Sequence, residues 1–533
     1  MSEVSSLSSA ATRAQQTRRP DRVRSGAAFP RFVALTLVMS VPLVVGLGAV
    51  LAPLEALDVL LVALFALNAL WVSAAAATAL IAVGQAEPGK DAVPAGWTPK
   101  ERTAVLFLIC GEDPAGVVRR IAEMHRDLKR AGQSRTTEIW LLSDTPASKA
   151  AQEQRAIERL CATGVLHYRR RTDNKGRKPG NIADWIDNFG ASYSFMLVMD
   201  ADSAMRVDRL SALRYRMERT PGLALLQSGI AFRPGATRFA RLQRLSARLT
   251  GPVFIRGLRA WSGRAGNYWG HNALIRIEAF RAVMRLPRLS GPAPYGGEFL
   301  SHDFVEAALL VRNGWRVEIT PQTCGSSEDC PEDLETFHRR DRRWSQGNLQ
   351  HLRPLFGSRL NKVSRIHLAS GVQSYLSSPI WLLLILLFVL AGMAPWAVPV
   401  LSGALALLLV PKLAALVWFY RRTERPSRRK TFLRATAAEL WLSTLLSPIV
   451  MVRQTISVIA VILGQDSGWK SNRARRLPKL PGGTIEALAG MALVMVAVIG
   501  GDTAWQALWL TLIAGPLLAG PWLVPWLDAK APR

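Results

Sequence analysis

The sequence predicts an α/β domain with a parallel sheet, set between groups of membrane-spanning helices. Three observations predict it. Long apolar blocks without a base lie towards both ends of the 533 residues. Between them, short apolar runs alternate with amphipathic stretches, the pattern of βαβ units. The apolar runs also end on acids, as in FMLVMDADSAMRVDRL at Phe195–Leu210. Ligands of open α/β sheets bind beyond the carboxyl ends of the strands.

The membrane elements come first. Phe32–Leu51 and Val59–Val83 are long enough to cross a hydrocarbon core of about 30 Å. Val372–Leu390, Trp396–Tyr420, Ile485–Ile499 and Ala504–Leu527 are further candidates, Ile485–Ile499 being short and carrying Glu486. Ala435–Leu463 is apolar but interrupted by Glu439, Pro448 and Arg453. The chain carries a net charge of +28, a number that first suggests nucleic acid. The bases, however, flank the apolar blocks. Five Arg lie in residues 1–29, six bases in Arg421–Lys430 and five in Gln465–Leu480, whereas Pro53–Asp58 and Gly500–Asp502 hold only acids. By the positive-inside rule both termini and the central segment belong on the cytoplasmic side, and no nucleic-acid partner is expected. The two basic loops then share a side, so Ala435–Leu463 reads as interfacial or re-entrant. Six spans are expected, with eight as the alternative.

The predicted organisation is a disordered basic tail over 1–29, two transmembrane helices over 30–84 and a cytoplasmic domain over 97–370. Transmembrane helices with the interfacial or re-entrant segment follow over 371–464, then a basic cytoplasmic loop over 465–480 and two more spans over 484–527. The first apolar block is too long for a signal-peptide core and is read as an anchor. The four cysteines fall in the cytoplasmic part, where thiols stay reduced, and Cys324 and Cys330 have no His at zinc-ligand spacing.

Within 97–370, strands are predicted at Ala104–Cys110, Glu138–Leu142, Gly164–Tyr168 and Ser194–Met199, with helices at Gln152–Leu160 and Ile182–Phe189. Neither a dinucleotide fingerprint nor a P-loop is present. With 19 Asp in the chain, a D-x-D arises about 0.7 times by chance, so position carries the weight. Asp200 and Asp202 stand at a strand tip, where hard oxygens suit Mg²⁺ or Mn²⁺ gripping a diphosphate. Turn and helix-capping chemistry is the bland alternative. Asn174–Asn181 (NKGRKPGN) opens a helix with Lys178 beside backbone N–H groups, a phosphate cradle or else an exposed basic loop. Ser301-His302-Asp303 starts another helix, with Asp303 either its cap or a general base. Arg339–Gly347 (RRDRRWSQG) is either a solvated basic helix or a phosphate-binding Arg343 next to Trp344 as a flat sugar platform.

The order Asp144, NKGRKPGN, DAD, WGHNALIR, SHD, RRDRRWSQGN, framed by spans, is far more specific than any member. It resembles the processive family 2 glycosyltransferases, the cellulose and hyaluronan synthase group, and more closely the glucans biosynthesis glucosyltransferase H family. The likeness runs from about Trp97 to Lys470, through FLSHDFVE at Phe299–Glu306, DRRWSQGNLQH at Asp341–His351 and DSGWK at Asp466–Lys470. It implies a GT-A-like (Rossmann-like) cytoplasmic glycosyltransferase domain inserted between transmembrane helices, in a bacterial inner membrane. It also implies UDP-glucose as donor, a growing glucan as acceptor, membrane lipid around the spans and a periplasmic glucan-processing protein as partner. Asp144 would contact uracil, Lys178 and Asn181 the nucleotide and its diphosphate, Asp200 the nucleotide and metal, and Asp202 the metal. Asp303 would be the base, and Arg343 and Trp344 would fill the end of the synthases' Q-x-x-R-W motif. Two positions depart from the pattern: T-E-D reads Ser301-His302-Asp303, and the Gln of Q-x-x-R-W falls on Arg340. Gln465–Trp469 lies where cellulose synthases place a gating loop but lacks that loop's F-x-V-T-x-K sequence.

Single-sugar transfer to lipid, or synthesis of another β-glycan, is the alternative activity. A transporter would predict inverted repeats, which the sequence lacks. A membrane-anchored nucleic-acid module would not need ordered acids at strand ends.

Overall fold

The computed structural model describes residues 23–85, 92–357, 359–391, 398–467, 481–499 and 504–531. Most of the tail expected to be disordered, and residues 468–480 of the basic loop, lie outside them.

Two apolar helices come first, α1 (Phe29–Val50) and α2 (Ala56–Val83). The chain then alternates strand and helix: β1 (Thr103–Ile109), α3 (Pro114–Arg130), β2 (Thr137–Ser143), α4 (Ala147–Ala162), β3 (His167–Arg170), α5 (Arg177–Asn188) and β4 (Phe195–Asp200). Next come β5 (Ala204–Met205), α6 (Val207–Glu218), β6 (Leu223–Ser228), β7 (Ala231–Phe232), α7 (Arg238–Ser262) and β8 (Ala273–Arg276). The elements α8 (His302–Arg312), β9 (Arg316–Thr320), β10 (Ser326–Glu328) and α9 (Leu334–Leu349) complete this part. Four further apolar helices follow, α10 (Lys362–Ala391), α11 (Val398–Arg422), α12 (Pro426–Ile462) and α13 (Thr484–Ile499), and then α14 (Ala504–Leu518) and α15 (Gly520–Asp528).

Seven strands form the main sheet in the order β3-β2-β1-β4-β8-β6-β9, and β5, β10 and β7 form a small second sheet. This is a GT-A-like, Rossmann-like α/β fold with apolar helices on either side of it in sequence. Strands buried on both faces read as continuous apolar runs. Leu106, Leu142, Met196 and Val198 face one core, and Val105, Phe107, Leu141, Leu197 and Met199 face the other. One expectation is corrected: the sheet is mixed, because β8 runs antiparallel to both β4 and β6. At four residues, ALIR, β8 is too short to show a strand period in sequence.

The membrane-type helices join this core through α7. Trp261 on α7 stacks on Phe32 of α1 with ring centroids 4.4 Å apart, and its Nε1 donates to Thr78 Oγ1 of α2 at 3.2 Å. Among the described residues, five helices, α1, α2, α10, α11 and α12, are long and apolar enough to cross a membrane. A sixth candidate is the pair Leu510–Leu518 and Gly520–Asp528, bent by 67°, so Ala504–Leu527 is not one straight span.

Most of Ala435–Leu463 lies within one continuous helix, Pro426–Ile462. Pro448 removes one backbone donor without breaking the helix. Contacts to the sheet domain occur well apart along α12. Glu439 accepts from Ser246 Oγ of α7 at 2.9 Å, and Ile462 O accepts from the Tyr295 hydroxyl at 3.0 Å. Those two positions stand about 35 Å apart along the axis. Ionisable residues inside the apolar blocks pair with one another: Lys412 Nζ of α11 donates to Glu439 at 2.7 Å, and Arg453 binds Glu486.

Candidate active site

Three parallel strands end together. In register, Ile109 of β1 stands opposite Ser143 of β2, and Leu108 opposite Asp200 of β4. Asp144 and Asp200 therefore leave the same edge of the sheet, on strands separated by β1.

Asp144 is buried in a polar network. Its carboxylate accepts from Arg171 Nε at 2.9 Å and Nη2 at 2.8 Å, and from Asn181 Nδ2 at 3.0 Å, while its carbonyl accepts from Asn174 Nδ2 at 2.7 Å. Asn181 also accepts from Arg169. The intervening loop is tightly wound: Asn174, Gly176 and Arg177 hold φ of 41°, 69° and 52°. A Cβ on Gly180 would stand 2.1 Å from the Lys175 carbonyl oxygen, so only glycine fits there. Left-handed non-glycine residues store about 1–3 kcal/mol each and concentrate at ligand clamps.

This loop delivers Lys178 to the second strand end, where its ammonium binds Asp200. Burial opposes ionisation of Asp200, but Lys178 and His271 outweigh it and hold the carboxyl below its usual range. Asp202 behaves oppositely. Burial, then Asp200 and Glu328, push it up to about 6. Neither carboxylate caps a helix, because α6 starts at Val207 with Arg206 as its N-cap. Arg233 holds the turn by donating to the Asp202 carbonyl at 2.7 Å.

Such crowding of carboxylates is what a divalent cation relieves, so the donor set fits Mg²⁺ or Mn²⁺. Among the described residues no three His, Cys, Asp or Glu form a ready-made metal cluster. The hard oxygens of Asp200 and Asp202 are the candidate protein donors for such a cation.

Asp303 reaches the same cleft from α8. A Cβ on Gly270, where φ is 86°, would lie 3.4 Å from Asp303 Oδ2 and 3.8 Å from Lys178 Nζ. The absent side chain lets the two groups converge over the backbone. Ser301 is the N-cap of α8, and Asp303 stands in the first turn of that helix. Burial raises the Asp303 carboxyl, with His302 acting against the rise.

Arg343 and Trp344 lie on α9. Arg343 is half-buried, with Arg340 and Arg339 as cationic neighbours and Glu112, just after β1, as an acidic one. Trp344 is 45% exposed, with the Arg340 guanidinium 4.5 Å from its ring centroid. Arg340, the departure from Q-x-x-R-W, also acts electrostatically on Asp202. It therefore links Trp344 to the strand-end acids. On the same helix, Gln346 donates to Asp466 Oδ1 at 2.8 Å and accepts from the Ser467 N–H at 2.7 Å, docking the start of Gln465–Trp469. Gly468 and Trp469 lie outside the described residues.

Sequence reading assigned no role to His271 or Glu328. His271 Nε2 lies 3.2 Å from Glu328 Oε2, and its Nδ1 is 3.0 Å from Ser203 Oγ. Burial favours the neutral ring, but Asp200 and Glu328 push His271 up to about 9. The available signal was its place in WGHNALIR, just before β8.

Residues 195–420 match the model of glycosyl transferase family group 2. Curated proteins named glucans biosynthesis glucosyltransferase H are similar over most of the chain. That of Bradyrhizobium diazoefficiens is 38% identical over 474 residues, 82% of this chain and 63% of the relative. That of Shewanella oneidensis is 35% identical over 509 residues, 88% of this chain and 69% of the relative. That of Cereibacter sphaeroides is 37% identical, covering 80% of this chain and 74% of the relative. The chain spans less than two thirds of the Bradyrhizobium relative and of those from Rhodopseudomonas palustris and Vibrio cholerae, down to 55% for one from Rhodopseudomonas palustris. Among solved structures, a mannosyltransferase from Pyrobaculum calidifontis in complex with GDP-Man and Mn²⁺ aligns with a TM-score of 0.45 at 15% identity, over 76% of this chain and 99% of that one. The relatives of Shewanella oneidensis and Cereibacter sphaeroides are spanned over two thirds or more of their length, and the chain belongs to the glucans biosynthesis glucosyltransferase H family.

Proposed function

We propose that the protein is an inverting glucosyltransferase of the bacterial inner membrane that polymerises glucose from UDP-glucose into a β-linked, β-1,2, glucan backbone passed towards the periplasm. The observation that carries this reading is the convergence of Asp303, Lys178 and Asp200 beside Gly270, with Asp202 two residues on. A base and a cation-and-carboxylate grip on a diphosphate at one spot are what sugar transfer from a nucleotide needs.

In this reading Asp303 takes the proton of an acceptor hydroxyl. The oxygen attacks the anomeric carbon of UDP-α-glucose from the opposite face, forming the new C–O bond as the bond to UDP breaks. Inversion leaves a β linkage. A divalent cation held by Asp200 and Asp202 would neutralise diphosphate charge when bound. Lys178 and Arg343 stabilise the charge that develops on the leaving UDP, Trp344 orients the acceptor ring, and Asp144 and Asn181 frame the uracil. The raised Asp303 carboxyl suits a base that must accept a proton.

The sheet domain faces the cytoplasm and α12 lies in the membrane interface. The reach of its contacts to the sheet domain supports this, because a crossing helix would carry one end about 30 Å away. Both basic loops then stay on one side.

Membranes containing the protein, given labelled UDP-glucose and Mg²⁺, should convert label into a soluble β-linked oligosaccharide. Asp303→Asn should lower the rate by about 100- to 10,000-fold while UDP-glucose still binds. Label in lipid would make the protein a lipid-linked glycosyltransferase. Undiminished transfer by Asp303→Asn would remove Asp303 from the role of base.

A further inference from the structure

A buried carboxylate without hydrogen bonds is costly, and its retention calls for an explanation. Glu306 on α8 is such a group. Its side chain is 1% exposed, and neither oxygen makes a hydrogen bond. Its ionic partner is His302, one turn earlier, whose Nδ1 lies 3.0 Å from Glu306 Oε1 and whose side chain is 10% exposed. Residues i and i+4 share a helix face, whereas Asp303 leaves the helix about 100° further round. The couple thus lies beside Asp303 and leaves the carboxylate open to the cleft.

We infer that His302 and Glu306 are positioning residues for glucosyl transfer, together holding a fixed imidazolium beside Asp303 so that the base is ionised within a dry cleft. The inference rests on Asp303 being that base. Glu306 keeps the imidazole charged and orients it, and the imidazolium offsets what burial does to Asp303. The couple keeps its own proton throughout, since the acceptor's proton goes to Asp303 and leaves with water after product release.

Other groups face this helix start. Lys178 from α5 and Asp200 from β4 form their own pair across the cleft. Tyr268, buried before Gly270, donates to the Gly270 carbonyl at 2.8 Å. His351, after α9, shares a hydrogen bond between Nε2 and Ser301 O at 2.8 Å, and burial depresses it to about 4, so it is neutral. Burial works against the charged form of His302, but Glu306 and Asp303 raise it above its ordinary value. On Asp303, the downward pull of His302 outweighs the upward push of Glu306. Deleting either member therefore raises the Asp303 carboxyl. Without His302 the attraction is gone. Without Glu306 the buried ring gives up its proton.

The test is the pH dependence of kcat and KM for UDP-glucose, measured on the full chain in membranes for His302→Gln and Glu306→Gln, with Asp303→Asn as reference. Both variants should move the acid limb of kcat/KM upward by about one pH unit, about a tenfold loss on that limb that disappears at high pH. Donor KM should stay within about twofold. Profiles that superimpose on the parent, or losses equal at every pH, overturn the inference while an inactive Asp303→Asn leaves the base standing. Full transfer by Asp303→Asn overturns both. Binding of labelled UDP reports folding. If Glu306→Gln loses it, His302→Asn decides by the same shift.

Discussion

At the residue scale, the candidate site gathers acids from strand ends and a lysine and an acid from helix starts. Asp144, Asp200 and Asp202 follow apolar runs, and Lys178 and Asp303 stand at helix starts, so local pattern alone singled them out. The partners were not legible, because pairing across the fold leaves no trace in local sequence. Arg171 meets Asp144 from 27 residues away, and His271, just before β8, meets Glu328 of β10. The Asp144–Arg171 pair is buried on both sides. Asp144→Ala would strand a guanidinium and should cost about 3–5 kcal/mol, read as a lower thermal unfolding midpoint in detergent. Trp344→Ala should behave differently. Its ring is exposed, so stability should hold while acceptor KM rises about tenfold, the worth of one ring stack.

Among the elements, β1, β2 and β4 lie within a residue or two of their predicted spans, since continuous apolar runs bounded by polar residues fix a buried strand. β3 begins at His167, later than its predicted start at Gly164. β8 escaped because it is short and borrows its pairing from β4 and β6. In α12, composition alone suggests a span, while its contacts to α7 and to Tyr295 favour a helix lying along the sheet domain. In a cysteine-depleted chain, single cysteines at Arg425 and Gln465 should react with an impermeant maleimide from the same side of the membrane. Reaction from opposite sides would make α12 a span. Glu439 is almost wholly buried between Lys412 and Ser246, so Glu439→Gln should cost about 3–5 kcal/mol in the same unfolding measurement.

The whole molecule couples its acid stability to burial. The His351 ring takes up a proton near pH 4 in the fold against 6.5 for its ordinary value. As pH falls below about 6.5 the unfolded chain binds the proton first, so stability is lost down to about pH 4. The slope should be about 1.4 kcal/mol per pH unit. The difference in unfolding free energy between the parent and His351→Gln should show that slope between about pH 6.5 and pH 4.

The sequence by itself determined that the chain joins an α/β sheet domain to apolar helices, and which acids stand at the strand ends. Those features follow from hydropathy period and helix-start chemistry, which act over a few neighbouring residues. Only the tertiary structure decided that β8 reverses the sheet, that Gly270 lets Asp303 and Lys178 converge, and that Glu306 and His302 sit as a buried couple beside Asp303. Each of these depends on side chains meeting across long stretches of chain, where packing and desolvation set the outcome.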